Sequence, residues 1–219
     1  DRAGHRTLLI DFDPQGNSSQ GVGYEVENIT EASLSMAQVV TSQAELADVI
    51  TPTDFGNLSL APADVRLAEA KMILAARDFR EEVLADALAE VSSEYDYVVI
   101  DTQPDLGTLL MNGLVAADKV IVPTLITSQA LLGLVTIVKV INKAKRNQKG
   151  FDWRILYTMV GGHGKARQEA IRAEMEPFAA RKLRTEISRG DAVLQSQEPT
   201  EDGKIVPLIL TGSRSEAAK

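Results

Sequence analysis

Two aspartates separated by one residue, Asp11 and Asp13, lie within the segment Thr7–Asn17, TLLIDFDPQGN. Four residues with strand character, Thr7, Leu8, Leu9 and Ile10, lead into them. Side chains in a strand alternate faces with period two, so both carboxylates are expected on one side while the chain stays extended. Pro14 biases Asp13 toward extended geometry and away from helix. Two carboxylates are thus delivered beyond the carboxyl end of a buried strand, the edge where open α/β sheets bind ligands. An Asp-Pro turn closing a strand is the plainer reading of the same residues.

A third aspartate recurs in the same setting. Tyr95-Asp96-Tyr97-Val98-Val99-Ile100-Asp101 reads as an apolar strand ending in a carboxylate, followed by Thr102-Gln103-Pro104-Asp105-Leu106-Gly107. This is how a Walker B element positions an aspartate for nucleotide-bound Mg²⁺, usually through water. Alone the signal is weak, because many α/β strands end in Asp; its weight comes from the pair of strands. Gly161-Gly162-His163-Gly164-Lys165-Ala166 imitates a phosphate loop and fails as one. Its glycine spacing is wrong, and Ala166 has no hydroxyl for Mg²⁺. It reads instead as the turn after a strand. His5 and His163 also sit near glycine turns without metal-ligand spacing and read as surface residues.

Composition narrows the classes. The 219 residues include no cysteine, which removes disulfide frameworks, thiolate metal sites and iron–sulfur clusters. No apolar run reaches the length of a membrane span and no signal peptide is seen, so a cytoplasmic protein is expected. The net charge of −8 is uneven: residues 1–148 hold 11 Lys+Arg against 21 Asp+Glu, and residues 149–219 hold 12 against 10. A local basic patch in the C-terminal third would suit salt-sensitive attraction to a polyanion; a solvated mixed-charge surface gives the same counts.

The elements that must position the carboxylates follow from periodicity. Asp1–Arg6 reads as a helix end and a Gly turn into the first strand. Short helices are expected near Ser33–Val40 and Gln43–Val49, and a short strand over Asn57–Pro62. One helix is expected from Asp64, a plausible N-cap, to Val91, with Met72, Ala76, Phe79, Val83 and Leu88 on its apolar face. After the Asp101 strand come a helix over 107–117 and a strand over 119–123. A helix over 130–146 ends in Lys143, Lys145 and Arg146, charges that complement a helix C-terminus. A strand over 153–159, whose aromatics Trp153 and Tyr157 are expected to pack, precedes a helix over 165–180 and a strand over 182–187. Strands alternating with helices predict an α/β fold: a doubly wound, mostly parallel sheet with helices on both faces, read as one domain over residues 1–219.

With both strands and their spacing in view, the chain resembles the ParA/MinD group of deviant P-loop ATPases, most closely its ParA-type partition branch. That branch has strands like LLIDxDPQGN and YDxxxIDxPPxLG, then an xNxLxAADxVxxP stretch. Here they read LLIDFDPQGN, YDYVVIDTQPDLG and Met111–Pro123, MNGLVAADKVIVP. Ala130–Leu134, ALLGL, looks like the family's ALEGL. The resemblance implies a fold of the P-loop NTPase kind, ATP and Mg²⁺ as cofactors, and slow ATP hydrolysis. It implies that Asp13 orients the attacking water, with Asp11 and Asp101 in the water-mediated shell of Mg²⁺. Gln15, Asn17, Thr102, Gln103 and Pro104 would contact nucleotide in mobile switches, and Ser188 and Arg189 would border the base.

The resemblance also implies an ATP-dependent homodimer, non-specific DNA binding, nucleoid association and a ParB-like or adaptor partner. The cargo would be a plasmid, a chromosome or an organelle such as a carboxysome. By charge alone, Arg167, Arg172, Arg181, Lys182 and Arg184 are the DNA candidates. A MinD-like membrane cycle would need a C-terminal amphipathic helix, and Gly212–Lys219 has no apolar face. A non-catalytic interaction domain is the other alternative.

Departures from the family pattern are specific. No GxxxxGK followed by Ser or Thr occurs in the chain. The family's P-loop, with a strand before it and a helix after it, is expected to precede Asp1, and residues 1–219 alone are expected to be inactive and an incomplete folding unit. That strand is expected between those ending at Asp11 and Asp101. Gln103 replaces a usual proline, Ser188 replaces the proline of I-P-R, and Ala192 replaces an arginine often used on DNA.

Overall fold

Leu8, Ile10 and Phe12 have no exposed surface, and they anchor β1 (Thr7–Phe12). The computed structural model describes residues 4–25, 30, 32–146, 151–161 and 165–189. The chain separates into two units, Asp1–Ala117 and Asp118–Lys219. In the first, β1 is joined by β2 (Thr51–Pro52), β3 (Leu58–Ala61) and β4 (Tyr97–Thr102) in the order β2-β3-β1-β4. β1 is parallel to β3 and β4, and β2 is antiparallel to β3.

β1 and β4 pair directly from Thr7 opposite Tyr97 to Phe12 opposite Thr102. The expectation of a further strand between those ending at Asp11 and Asp101 is therefore wrong. Paired strands lie about 4.8 Å apart, which leaves no space for a third between them. β4 is an edge of this sheet among the described residues, and Tyr97, Val99 and Asp101 are exposed along it.

The helices of this unit are α1 (Asn17–Gly21), α2 (Met36–Val40), α3 (Leu46–Val49), α4 (Arg66–Ala75), α5 (Val83–Val91) and α6 (Thr108–Ala116). Met36, Val40, Leu46, Leu67, Leu74, Leu84 and Leu109 cluster with Leu8, Ile10 and Phe12 in one apolar core. Ser35 and Gln38 start α2 with a reciprocal capping box, which satisfies donors that a helix N-terminus otherwise leaves unpaired.

The single helix expected over 64–91 is two helices. Between them Phe79 takes a left-handed backbone with φ 52°, and Arg80 Nη1 donates to Ala75 O at 2.8 Å near the end of α4. Met72 and Phe79, counted as core positions by spacing, are 69% and 81% exposed. Asp64 does work at the helix entry: Arg66 N donates to its Oδ1 at 2.8 Å, although the first non-helical residue is Val65. Asn112, fully buried, ties α6 to the start of α5. Its Oδ1 accepts from Leu84 N at 3.1 Å, and its Nδ2 donates to Arg80 O at 2.6 Å and Thr108 O at 3.0 Å.

The second unit holds β5 (Lys119–Thr124), α7 (Ser128–Ala144), β6 (Asp152–Val160), α8 (Lys165–Glu174) and β7 (Lys182–Ser188). Its sheet is parallel, in the order β5-β6-β7. Thr127 accepts from Ala130 N at 3.1 Å and fixes the start of α7 two residues before the expected one. Trp153, Ile155 and Tyr157 alternate inward along β6, so the strand aromatics pack as expected. The helix expected over 165–180 stops at Glu174, and a 3₁₀ segment runs from Glu176 to Arg181 with Pro177 at its start. Proline lacks the N–H and clashes with the preceding turn, so the α-helix ends before it.

Candidate functional site

Asp11 and Asp101 stand opposite each other in register on β1 and β4. Their surroundings differ. Asp11 is fully buried, and its Oδ2 accepts from Ser19 N at 2.8 Å and Ser19 Oγ at 2.7 Å, while Oδ1 accepts from Asp13 N at 3.2 Å. Ser19 Oγ in turn accepts from Ala63 N at 3.2 Å. Burial pushes the Asp11 carboxyl above its ordinary range; the Ser19 and Asp13 donors offset this in part, and the neighbouring Asp101 charge adds to it. Asp101 is exposed and accepts a hydrogen bond from Ser18 Oγ.

β1 stops at Phe12, and Asp13 begins the turn that follows. The turn needs Gly16, whose φ of 67° lies in the left-handed region. Gly16 N donates to Asp13 O at 3.0 Å, and Gln15 N donates to Asp13 Oδ1 at 3.0 Å. Asp13 is half-buried, whereas Gln15 and Asn17 are exposed. The structure thus brings Asp11, Asp13 and Asp101 to the carboxyl ends of β1 and β4, with Gln15 on the turn after β1 and Asn17 at the start of α1.

Thr102, Gln103 and Pro104 follow Asp101 at the same edge. Gln103 Nε2 is buried and makes no hydrogen bond of full geometry, yet its amide lies close enough to the Asp105 carboxylate to help lower its pKa, and Pro104 is exposed. The segment is tethered one residue on, where Lys71 of α4 ion-pairs with Asp105 and Gly107 N donates to Asp105 Oδ1 at 2.8 Å. Burial works to raise the Asp105 pKa, but Lys71 and Gly107 together hold it below the ordinary value. A Cβ on Gly107 would come within 2.8 Å of Asp105 Oδ1, and one on Gly113 within 2.8 Å of Thr102 Cγ2. Both glycines therefore let α6 approach this segment closely.

Ser18, Ser19, Lys71 and Asn112 were not singled out from the sequence as site residues. The serines of Asn17-Ser18-Ser19 were the available signal, since short hydroxyl side chains just after a turn bond readily to nearby groups. Nothing local marks the Lys71–Asp105 pair, because the two residues are 34 positions apart.

The remaining candidates lie in the second unit. Ser188 closes β7 opposite Val160, and Arg189, exposed, donates its N–H to Val160 O at 2.9 Å. The five basic candidates are in different states. Arg172 donates to Glu186 through Nη1 at 2.7 Å and Nη2 at 2.8 Å. Lys182 Nζ meets the same carboxylate at 2.7 Å, so these two cations already share a counter-charge. Arg181 stacks over Trp153, while Arg167 and Arg184 are exposed. His163, Ala192 and Gly212–Lys219 lie outside the described residues.

The sequence profile of a family described as an AAA domain matches residues 1–151. The sporulation initiation inhibitor protein Soj of Bacillus subtilis (strain 168) is 32% identical over 218 residues, 99% of this chain and 83% of that protein. The chain belongs to the ParA/MinD family of partition ATPases. The chromosome partitioning protein ParA of Myxococcus xanthus is 38% identical over 66% of the chain, which spans 50% of that protein.

Among solved structures, cobyrinic acid a,c-diamide synthase of Mycobacterium smegmatis, with a bound ATP analogue and magnesium, matches with a TM-score of 0.77 and 27% identity, covering 94% of this chain and 87% of its own. Apo McdA of Cyanothece shares the fold, with a TM-score of 0.81 and 20% identity over 96% of this chain and 82% of its own. The α/β class with mostly parallel sheets is shared with these solved structures.

The donor set at the strand ends is all oxygen, which suits a hard cation such as Mg²⁺. Among the described residues no group of three or more His, Cys, Asp or Glu is placed to hold a metal directly. Mg²⁺ keeps most of its waters and needs only one or two protein carboxylates around them. No helix among the described residues is long and apolar enough to cross a membrane.

Proposed function

We propose that this chain forms part of a partition ATPase that binds ATP with Mg²⁺, dimerises on nucleotide and hydrolyses it slowly. The observation that carries the reading is the register pairing of Asp11 with Asp101, with Asp13 one turn beyond, in a member of this family. Mg²⁺, when bound, would neutralise charge on the phosphates. Asp101, exposed, would accept hydrogen bonds from its water shell. Asp11, expected in the water shell of Mg²⁺, is fully buried with both oxygens engaged, and would instead act from behind, holding Asp13 N and Ser19 so that the turn keeps one shape.

Asp13 has one oxygen engaged by Gln15 N–H; the other would accept a proton of the attacking water and hold it in line with the γ-phosphorus. Phosphoryl transfer asks mainly for such positioning and charge neutralisation. Gln15, Asn17, Thr102, Gln103 and Pro104 would line the nucleotide, with Ser188 and Arg189 at the base. The wider reading rests on the sequence resemblance: a single domain over residues 1–219, ATP-dependent non-specific DNA binding, a cytoplasmic, nucleoid-bound dimer, a ParB-like or adaptor partner, and a plasmid, chromosome or organelle as cargo.

The test is the Mg²⁺ dependence of ATP affinity in the full-length protein. Asp101→Ala is expected to weaken ATP binding at saturating Mg²⁺ and to leave binding in chelator unchanged. An affinity that responds to Mg²⁺ as in the unsubstituted protein would remove Asp101 from the site.

A further inference from the structure

Cationic side chains crowd the C-terminal end of α7. Lys145 follows the last helical residue and is 6% exposed. Its ammonium lies 4.7 Å from the centre of the Phe151 ring. Arg181 lies 5.2 Å from the centre of the Trp153 ring. These four side chains, with Asn142, Arg146 and an apolar wall from Ile141, line a cavity of about 250 Å³. Among the described residues no carboxylate lines it.

Cations at a helix C-terminus are ordinarily accounted for by the helix dipole, which presents about half a negative charge there. Lys143 already sits in the last turn of α7. Lys145, Arg146 and Arg181 line the cavity together, three cations brought from two segments of the chain. Burial pulls the Lys145 pKa below its ordinary value, with Asp118 offsetting part of this. An anion in the cavity would lower that desolvation cost, and the guanidinium forks of Arg146 and Arg181 suit phosphate oxygens.

The cavity has room for a tetrahedral oxyanion, since water occupies about 30 Å³ per molecule in the liquid. Of the basic residues chosen by charge alone, Arg172 and Lys182 share Glu186, whereas Arg181 belongs to this cavity.

We propose that the cavity at the end of α7 binds a phosphate group, with Lys145, Arg146 and Arg181 as donors to its oxygens. The DNA-binding part of the proposed function identifies the source as a backbone phosphate of duplex DNA, and only that identification rests on it. Trp153 makes the site observable. It is the single tryptophan of these 219 residues, so its indole N–H signal in NMR reports on the cavity wall.

The experiment titrates the full-length protein, ATP-loaded, with inorganic phosphate at constant ionic strength, and separately with a short non-specific duplex. Saturable movement of the Trp153 signal with phosphate is expected, abolished in Lys145→Gln and in Arg146→Gln. Arg146→Gln is also expected to weaken duplex binding roughly tenfold and to make the slope of log K against log salt shallower by about 0.9, one phosphate contact. If phosphate saturates the site but no duplex binds, the site stands and DNA is not its source. If the duplex binds while the Trp153 signal is still and Arg146→Gln binds DNA equally, DNA binding stands and this site is overturned. A Trp153 signal indifferent to phosphate overturns it without any variant.

Discussion

Asp11 and Asp101 face each other across two hydrogen-bonded parallel strands, one sealed in the core and the other open to solvent. Two like charges at this spacing are held apart in role by their surroundings. Ser19 takes up the Asp11 carboxylate with a backbone and a side-chain donor, so Asp11 braces the turn on which Asp13 rides. Asp101 keeps its solvent access.

Ser19→Ala is expected to loosen that brace. It removes one donor to a buried carboxylate and the acceptor of Ala63 N, a loss of about 1–3 kcal/mol in unfolding free energy. Urea unfolding measures the stability, and ATP turnover is expected to fall because the Asp13 turn is no longer fixed. Unchanged stability and turnover would show that Asp11 does not depend on Ser19.

Asn112→Ala should destabilise the first unit without touching the strand-end carboxylates. Three hydrogen bonds are lost, and Leu84 N is left without its acceptor in a buried setting. A cost of about 2–4 kcal/mol is expected for this buried group and its broken network. Thermal unfolding reads it, and Asn112→Asp, which keeps the acceptor but not the donors, should recover only part.

The Arg172–Glu186–Lys182 cluster predicts an acid-sensitive second unit. Its cations, Arg172 first, depress the Glu186 pKa from 4.5 to about 2. A carboxylate whose folded pKa is lowered adds stability above its unfolded value and loses it as the pH falls through the folded one. Glu186→Gln is therefore expected to cost about 1–3 kcal/mol at pH 7. The gap should close between pH 4.5 and about 2, in a series of urea unfolding curves. Asp11 acts with the opposite sign: its raised pKa favours the folded state at low pH and the benefit fades as the pH rises past its ordinary 3.8.

Much of this arrangement could be read from the residues. The β1 and β4 sequences announce strands ending in carboxylates, although β4 is exposed along one face, and the motifs around them carry the family. What could not be read depends on contacts between distant residues. Which strands are neighbours is a matter of topology, so the pairing of β1 with β4 overturned an expected intervening strand. The break between α4 and α5 was hidden because Met72 and Phe79 keep helical spacing while facing solvent. The brace from Ser19 and the tether from Lys71 to Asp105 join residues whose types are unremarkable in sequence. Charge counts found a basic C-terminal third but could not separate Arg172 and Lys182, already paired with Glu186, from Arg181.

The most direct test of the account is ATP turnover by Asp13→Ala in the full-length protein, measured beside ATP binding and ATP-dependent dimerisation. Asp13 is held by the Gln15 and Gly16 N–H groups and supports none of the core. Its removal should therefore abolish hydrolysis by taking away the group that orients water, while nucleotide binding and the dimer persist. Turnover equal to that of the unsubstituted protein would contradict the assignment of Asp13 and the reading of the strand-end carboxylates built on it.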